Sequence, residues 1–160
     1  MIAIRTATLD DAGLIFGFVR DLARYEDAED KLVATEALLR TALAERGVEA
    51  AIAEQDGQAV GTALFFHKHS TWSGWNGLYL EDLYVAPEAR GSGAGRALLA
   101  HVAAVGVARR CTRVEWAVSD GNAAAAGFYR SLGAEPMPWR IYRVSGEALA
   151  RLAGEGPARS

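Results

Sequence analysis

A chain of 160 residues with 51% hydrophobic and 23% charged residues has ample material for one buried core, which excludes a chain disordered throughout. Its 17 Lys and Arg against 20 Asp and Glu leave a net charge of −3, without the basic excess of an electrostatic nucleic-acid binder. A single cysteine, Cys111, forms no internal disulfide and is too few for a cysteine-based zinc site. With no signal-like N-terminus and no long apolar run, the expectation is a cytoplasmic protein that neither binds nucleic acid nor crosses a membrane.

Ile2 to Ala7 alternates apolar and polar residues and reads as a short strand, after which Thr8 is the candidate N-cap of a helix. Leu14, Ile15, Phe18, Val19 and Leu22 form one stripe of that helix, which ends near Arg24 before the acidic loop Tyr25-Glu26-Asp27-Ala28-Glu29-Asp30. A second helix fits Thr35 to Ala44, closed by Gly47. Val48 to Glu54 and Val60 to His67 are strand-like and flank Gln55-Asp56-Gly57-Gln58, whose Asp-Gly step signals a hairpin. Ser70 to Gly77 is a longer connection carrying Trp72 and Trp75, and Leu78 to Val85 is a strand stopped by Pro87. A helix over Gly93 to Arg109, a strand over Arg113 to Val118, a helix over Asn122 to Leu132 ended by Gly133, a last strand over Trp139 to Val144 and a short helix from Ser145 complete the chain. The order β-α-α-β-β-β-α-β-α-β-α predicts a single α/β domain over residues 1–152. Its central sheet is mixed and mostly antiparallel with flanking helices, and a flexible tail follows at 153–160.

The 17 glycines are not evenly spread. Arg90-Gly91-Ser92-Gly93-Ala94-Gly95-Arg96 puts three at alternate positions between a strand and a helix, where backbone N–H groups and the positive end of the helix dipole meet an anion such as a pyrophosphate. The alternative is a flexible surface turn. A P-loop is excluded because no Lys-Ser or Lys-Thr occurs, and the dinucleotide fingerprint is excluded by the glycine spacing and the missing first βαβ unit.

The segment Arg90-Gly91-Ser92-Gly93-Ala94-Gly95 resembles the Arg/Gln-x-x-Gly-x-Gly/Ala signature of the GNAT superfamily of N-acetyltransferases. Asn122 and Gly127-Phe128-Tyr129-Arg130-Ser131-Leu132-Gly133-Ala134 are similar to that family's second element. Leu22 to Glu26, Ser70 to Gly74 and Leu78 to Val85 are similar to the diamine branch, the spermidine/spermine and thialysine N-acetyltransferases. The resemblance runs from about Ile2 to Leu152. It implies the GNAT fold, acetyl-CoA as acetyl donor, no metal, direct transfer to a primary amine in a ternary complex, and a homodimer.

An amine of ordinary pKa near ~10 attacks a thioester only after losing a proton, and a thiolate of pKa near ~8.5 leaves more readily when protonated. The resemblance assigns Glu81 to the first task, since Glu81 and Asp82 are neighbours on a strand and point to opposite faces. It assigns Tyr129 to the second. It also implies that backbone groups of Leu83, Tyr84 and Val85 hold the thioester and pantetheine arm, that Arg90, Gly91, Ser92, Gly93, Ala94, Gly95 and Arg96 take the pyrophosphate, and that Asn122 and Ala125 line the cofactor. Tyr25, Glu26, Trp72 and Glu81 are the implied substrate contacts, Tyr25 and Glu26 reaching the site of a partner subunit. Each also has a structural reading, as solvated carboxylates, a core tyrosine or packing aromatics.

Two departures loosen the polyamine assignment: His69-Ser70-Thr71 stands where spermidine/spermine enzymes carry an acidic residue, and Glu135-Pro136-Met137-Pro138 is shorter than their acidic loop. A thialysine-like amino acid stays open as acceptor, as do a protein or peptide substrate and a non-catalytic acetyl-CoA-binding module. His67 and His69 share a strand face but lack an evident third metal ligand, and Cys111 has no evident His partner.

Overall fold

The alternating N-terminal segment forms strand β1 (Ile2–Thr6), and the turn out of it is made by charge. Arg5 donates to both carboxylate oxygens of Asp11 at 2.8 and 2.7 Å and to Glu54 at 2.7 Å, while the Thr8 amide donates to Asp11 at 2.7 Å. The Arg5 guanidinium holds the Asp11 carboxyl well below the usual carboxylate range. This computed structural model describes residues 1–45 and 47–156, in two compact units, Met1–Ala117 and Val118 onward.

In the first unit a single 3-10 turn at Leu9–Asp11 leads into α1 (Ala12–Tyr25), which buries Ala12, Ile15 and Phe18. A second helix, α2 (Glu36–Ala44), starts at Thr35, whose hydroxyl accepts the Leu38 amide at 3.3 Å. Strands β2 (Glu49–Gln55) and β3 (Gln58–His69) close on the expected Asp56–Gly57 turn, with positive φ of 53° and 82° at the two positions. Strand β4 (Asn76–Val85) follows, and α3 (Ala94–Ala108) carries the chain to β5 (Val114–Glu115). The five strands lie side by side in chain order, antiparallel up to β4, with β5 parallel to β4.

Helices α1 and α2 cover one sheet face, where Ile15 packs with Ala50, Ile52 and Leu64 and the cluster is flanked by Leu39 and Leu43. Helix α3 covers the other, with Leu98 and Val102 fully buried and Leu78 of β4 lying against Gly106. Side chains enclosed this fully contribute about 1.5–3 kcal/mol each to holding the helices on the sheet. Gly61 of β3 faces Val85 of β4 where the backbones approach so closely that a Cβ on Gly61 would lie 2.5 Å from the Tyr84 carbonyl oxygen. The mixed, mostly antiparallel α/β sheet with flanking helices agrees with the expectation.

In the second unit, α4 (Ala123–Ser131) is capped by Asn122, whose side-chain oxygen accepts the Ala125 amide at 3.0 Å, and Gly133 follows it with a φ of +84°. The last helix, α5 (Gly146–Gly154), starts after Ser145, and residues 157–160 of the expected tail lie outside the described residues. Two strand expectations are corrected. The strand expected over Arg113–Val118 is confined to Val114–Glu115, where β4 supplies its ladder. No strand forms over Trp139–Val144 among the described residues: alternation supplies two faces but no hydrogen-bonding partner, and the second unit contains no other strand.

Candidate functional site

The site expected on β4 is shaped by an irregularity in its ladder. Pairing with β3 runs Leu64↔Asp82 and then Phe65↔Leu80, so Glu81 has no opposite residue and forms a β-bulge. Before the bulge Leu78 faces α3 and Tyr79 packs on Phe66 of the opposite face, with ring centroids 5.4 Å apart. After it Tyr84 packs on Phe18 of α1 at 5.7 Å, so Asp82, two residues earlier, shares the α1 face. The even-numbered residues thus change face across Glu81.

The consequence is a cavity of about 190 Å³ between α1, the following turn and β4, lined by Val19, Leu22, Ala23, Glu26, Ala28, Lys31, Leu32 and Asp82. Most of its wall is apolar, and its lining residues include two acids and one lysine. Burial, reinforced by the charges of Glu81 and Glu26, pushes the Asp82 carboxyl from the ordinary 3.8 up to about 6. A carboxyl so placed is poised to change charge close to neutrality and gains from a cation entering the cavity. Glu81 itself is exposed. Asp82 is therefore the cavity-lining carboxylate that sequence reasoning passed over, because opposite faces for neighbouring residues forced a choice and nothing local in the sequence marks a bulge.

Beside this cavity, β4 has an open edge. Its pairing with β5 extends only over Leu78↔Val114 and Tyr79↔Glu115. The Ala86 amide bonds to the Val60 carbonyl on the β3 side, so by antiparallel alternation the amides of Leu83 and Val85 point away from β3, along the edge that β5 has left. Such amides can hold an extended ligand as a strand would, or polarise a carbonyl. The Arg90 side chain reaches this edge: its Nε donates to the Val85 carbonyl at 3.3 Å, and its guanidinium lies over the Tyr25 ring, 4.5 Å from the centroid.

The glycine-rich segment is an exposed turn into α3. Gly93 is the N-cap with φ +93° and ψ −2°, a left-handed conformation that other residues resist, while space is not the constraint because a Cβ there meets nothing within 4 Å. Ser92 Oγ accepts the Ala94 amide at 3.3 Å. The amides of Gly95 and Arg96, in the first turn of a 15-residue helix, have no intrahelical acceptor and point outward at its positive end.

Tyr25, Arg90 and Val85 are thus brought together, as are Glu26 and Asp82. Trp72 is not: it stands 92% exposed in the β3–β4 turn. Asn122, Ala125 and Tyr129 belong to the second unit, where Asn122 and Ala125 are joined by the helix cap and the half-buried Tyr129 ring lies 5.3 Å from that of Phe128. Among the described residues no group of three or more His, Cys, Asp or Glu is arranged to hold a metal, and no helix is long and apolar enough to cross a membrane.

Comparison with known proteins is consistent with this geometry. A family model for the acetyltransferase (GNAT) family matches residues 16–134. The chain is 35% identical over 168 residues to a thialysine N-epsilon-acetyltransferase of Bos taurus, covering 96% of this chain and 98% of that one. It is 37% identical over 93 residues to an L-ornithine N5-acetyltransferase of Arabidopsis thaliana, a match spanning 58% of this chain and 41% of that protein. Among solved structures, an integron cassette protein from the mobile metagenome of V. cholerae superposes with a TM-score of 0.75 at 27% identity, over 95% of this chain and 97% of that one.

Proposed function

The chain belongs to the acetyltransferase (GNAT) family and is an acetyltransferase, and from that premise we propose that it moves an acetyl group from acetyl-CoA to a primary amine of a small diamine, polyamine or thialysine-like amino acid, by direct attack within a ternary complex. The observation that carries the choice of a small cationic acceptor is the apolar-walled cavity with Asp82 and Glu26 in its lining, beside the open edge of β4. Similarity to enzymes named for thialysine and ornithine supports the same class.

Acetyl-CoA supplies the activated thioester. The exposed turn Gly91–Arg96, with outward amides at the start of α3, fits the pyrophosphate; Arg90 and Arg96 add positive charge there. The amides of Leu83 and Val85, with Tyr84 between them, hold the extended arm along the strand edge and polarise the acetyl carbonyl. Asn122 and Ala125 contribute from the start of α4. Asp82 and Glu26 hold the acceptor as an ammonium, with Tyr25 beside them and Trp72 as an outlying contact. The attacking ammonium first gives one proton to solvent by way of Glu81, directly or through water. As the C–N bond forms, its second proton passes to Glu81, the C–S bond breaks and Tyr129 protonates the departing sulfur. Exchange with water returns Glu81 and Tyr129 to their starting forms, so that amide, thiol and one released proton account for the reaction. The protein acts as a homodimer in the cytoplasm.

A free-thiol assay with acetyl-CoA and a panel of spermidine, putrescine, thialysine, lysine, ornithine and short peptides tests this reading. Thiol release with the small amines is expected. Release with peptides alone would make the protein a peptide acetyltransferase, and acetyl-CoA binding without release from any acceptor would make it a binding module. A monomeric mass in solution scattering would refute the dimer.

A further inference from the structure

Among the charged residues lining the cavity, Lys31 is the one without a task. It ends the short 3-10 turn Glu29–Lys31 that follows α1, and among the described residues it takes part in no ion pair. Glu29, at the start of the same turn, is paired with Arg24 at 2.8 Å. The residues lining the cavity include two acids, Glu26 and Asp82, and one lysine that is unpaired among the described residues. A plain diamine or polyamine satisfies the carboxylates but meets repulsion from Lys31. An α,ω-diamino acid carries the complementary set, two ammonium groups and one carboxylate, and leaves no charge facing its like.

We propose that Lys31 is a specificity-determining residue that pairs with the α-carboxylate of the acceptor, so that this site selects diamino acids over the diamines that lack that carboxylate. The inference rests on the acetyl transfer proposed above and deepens it. Because Lys31 is exposed, the pair works in high dielectric and its effect is modest, about 3- to 10-fold in kcat/KM.

The experiment compares acceptors differing only by the carboxylate, lysine with 1,5-diaminopentane and ornithine with 1,4-diaminobutane, with lysinamide as the uncharged control. The wild type is expected to favour the amino acid of each pair about 3- to 10-fold and lysine over lysinamide similarly. Lys31→Gln should erase both preferences and raise kcat/KM for the diamines, and Lys31→Glu should invert them. Both substitutions lie on an exposed turn, and an unchanged melting temperature shows that the fold is retained. A wild-type preference for the diamine, or an amino-acid preference that survives in both variants, overturns the assignment of Lys31 while leaving acetyl transfer standing. Thiol release with none of these amines, nor with spermidine or thialysine, overturns the acetyl-transfer reading and this one with it.

Discussion

Replacing Asp82 with Asn isolates the cost of holding a carboxylate in the cavity. Its carboxyl is raised from the ordinary 3.8 to about 6 by burial and by its acidic neighbours Glu81 and Glu26. At 1.36 kcal/mol per pH unit the ionised form costs the folded protein about 3 kcal/mol, an upper bound because water in the open cavity screens it. The sign follows from the direction of the shift. The folded protein holds this proton more tightly than the unfolded chain, so the penalty is absent below pH 3.8, grows between 3.8 and about 6 and is complete above. Asp82→Asn should therefore match the parent near pH 4 and exceed it at pH 8 by up to about 3 kcal/mol, or about 6–12 °C in Tm for a domain of this size. The same variant should lose most of its amine acetylation, since a neutral amide gives an ammonium less purchase. Urea denaturation from pH 4 to pH 8 reads the stability difference directly. A difference that stays constant across this range would refute the reasoning, because no group ionising between 3.8 and 6 would then separate the two proteins.

Asp11→Asn should have the opposite pH signature. The Asp11 carboxyl is depressed by Arg5, so its contribution, about 1–3 kcal/mol, is complete above pH 3.8 and is lost as the pH falls below it; denaturation midpoints of parent and variant should converge in acid. Gly61→Ala should cost about 1–3 kcal/mol in chemical denaturation, because the obstructing atom at 2.5 Å is a backbone carbonyl of β4 rather than a yielding side chain. It should also weaken acetyl-CoA binding by displacing the strand edge. Tyr129→Phe should lower kcat by about 100-fold or more while the acetyl-CoA Kd, measured by calorimetry, changes less than about 3-fold; an unchanged kcat would remove Tyr129 from the acid role.

Features governed by nearby residues were legible in the sequence. The Asp56–Gly57 hairpin, the helix starts at Thr35 and Asn122 and the glycine turn into α3 each depend on a few adjacent positions, and each stands within a residue or two of expectation. What was illegible depends on a distant partner. Trp139–Val144 alternates as a strand should, but a strand exists only when another offers its ladder. The Glu81 bulge is set by the register between β3 and β4, so the orientation of Asp82 could not be read from β4 alone. Lys31 looks like any lysine of a polar loop until the cavity gives it two carboxylates for company.

A strand has a parity, and the unopposed Glu81 reverses it once. The first half of β4 turns its even-numbered leucines to α3 and the second half turns its even-numbered Asp82 and Tyr84 to α1. A single-residue deletion at Glu81 would restore one parity throughout. Leu80 would then be followed directly by Asp82, opposite Phe65 and Leu64 as now, so both halves would keep their facing and only the bulge would be lost. For this reason length is more tightly constrained on either side of this position than at it. Substitutions of Glu81 alter chemistry and its deletion removes the bulge, whereas a one-residue slip of either half of β4 against β3 decides which side of the sheet holds the acid.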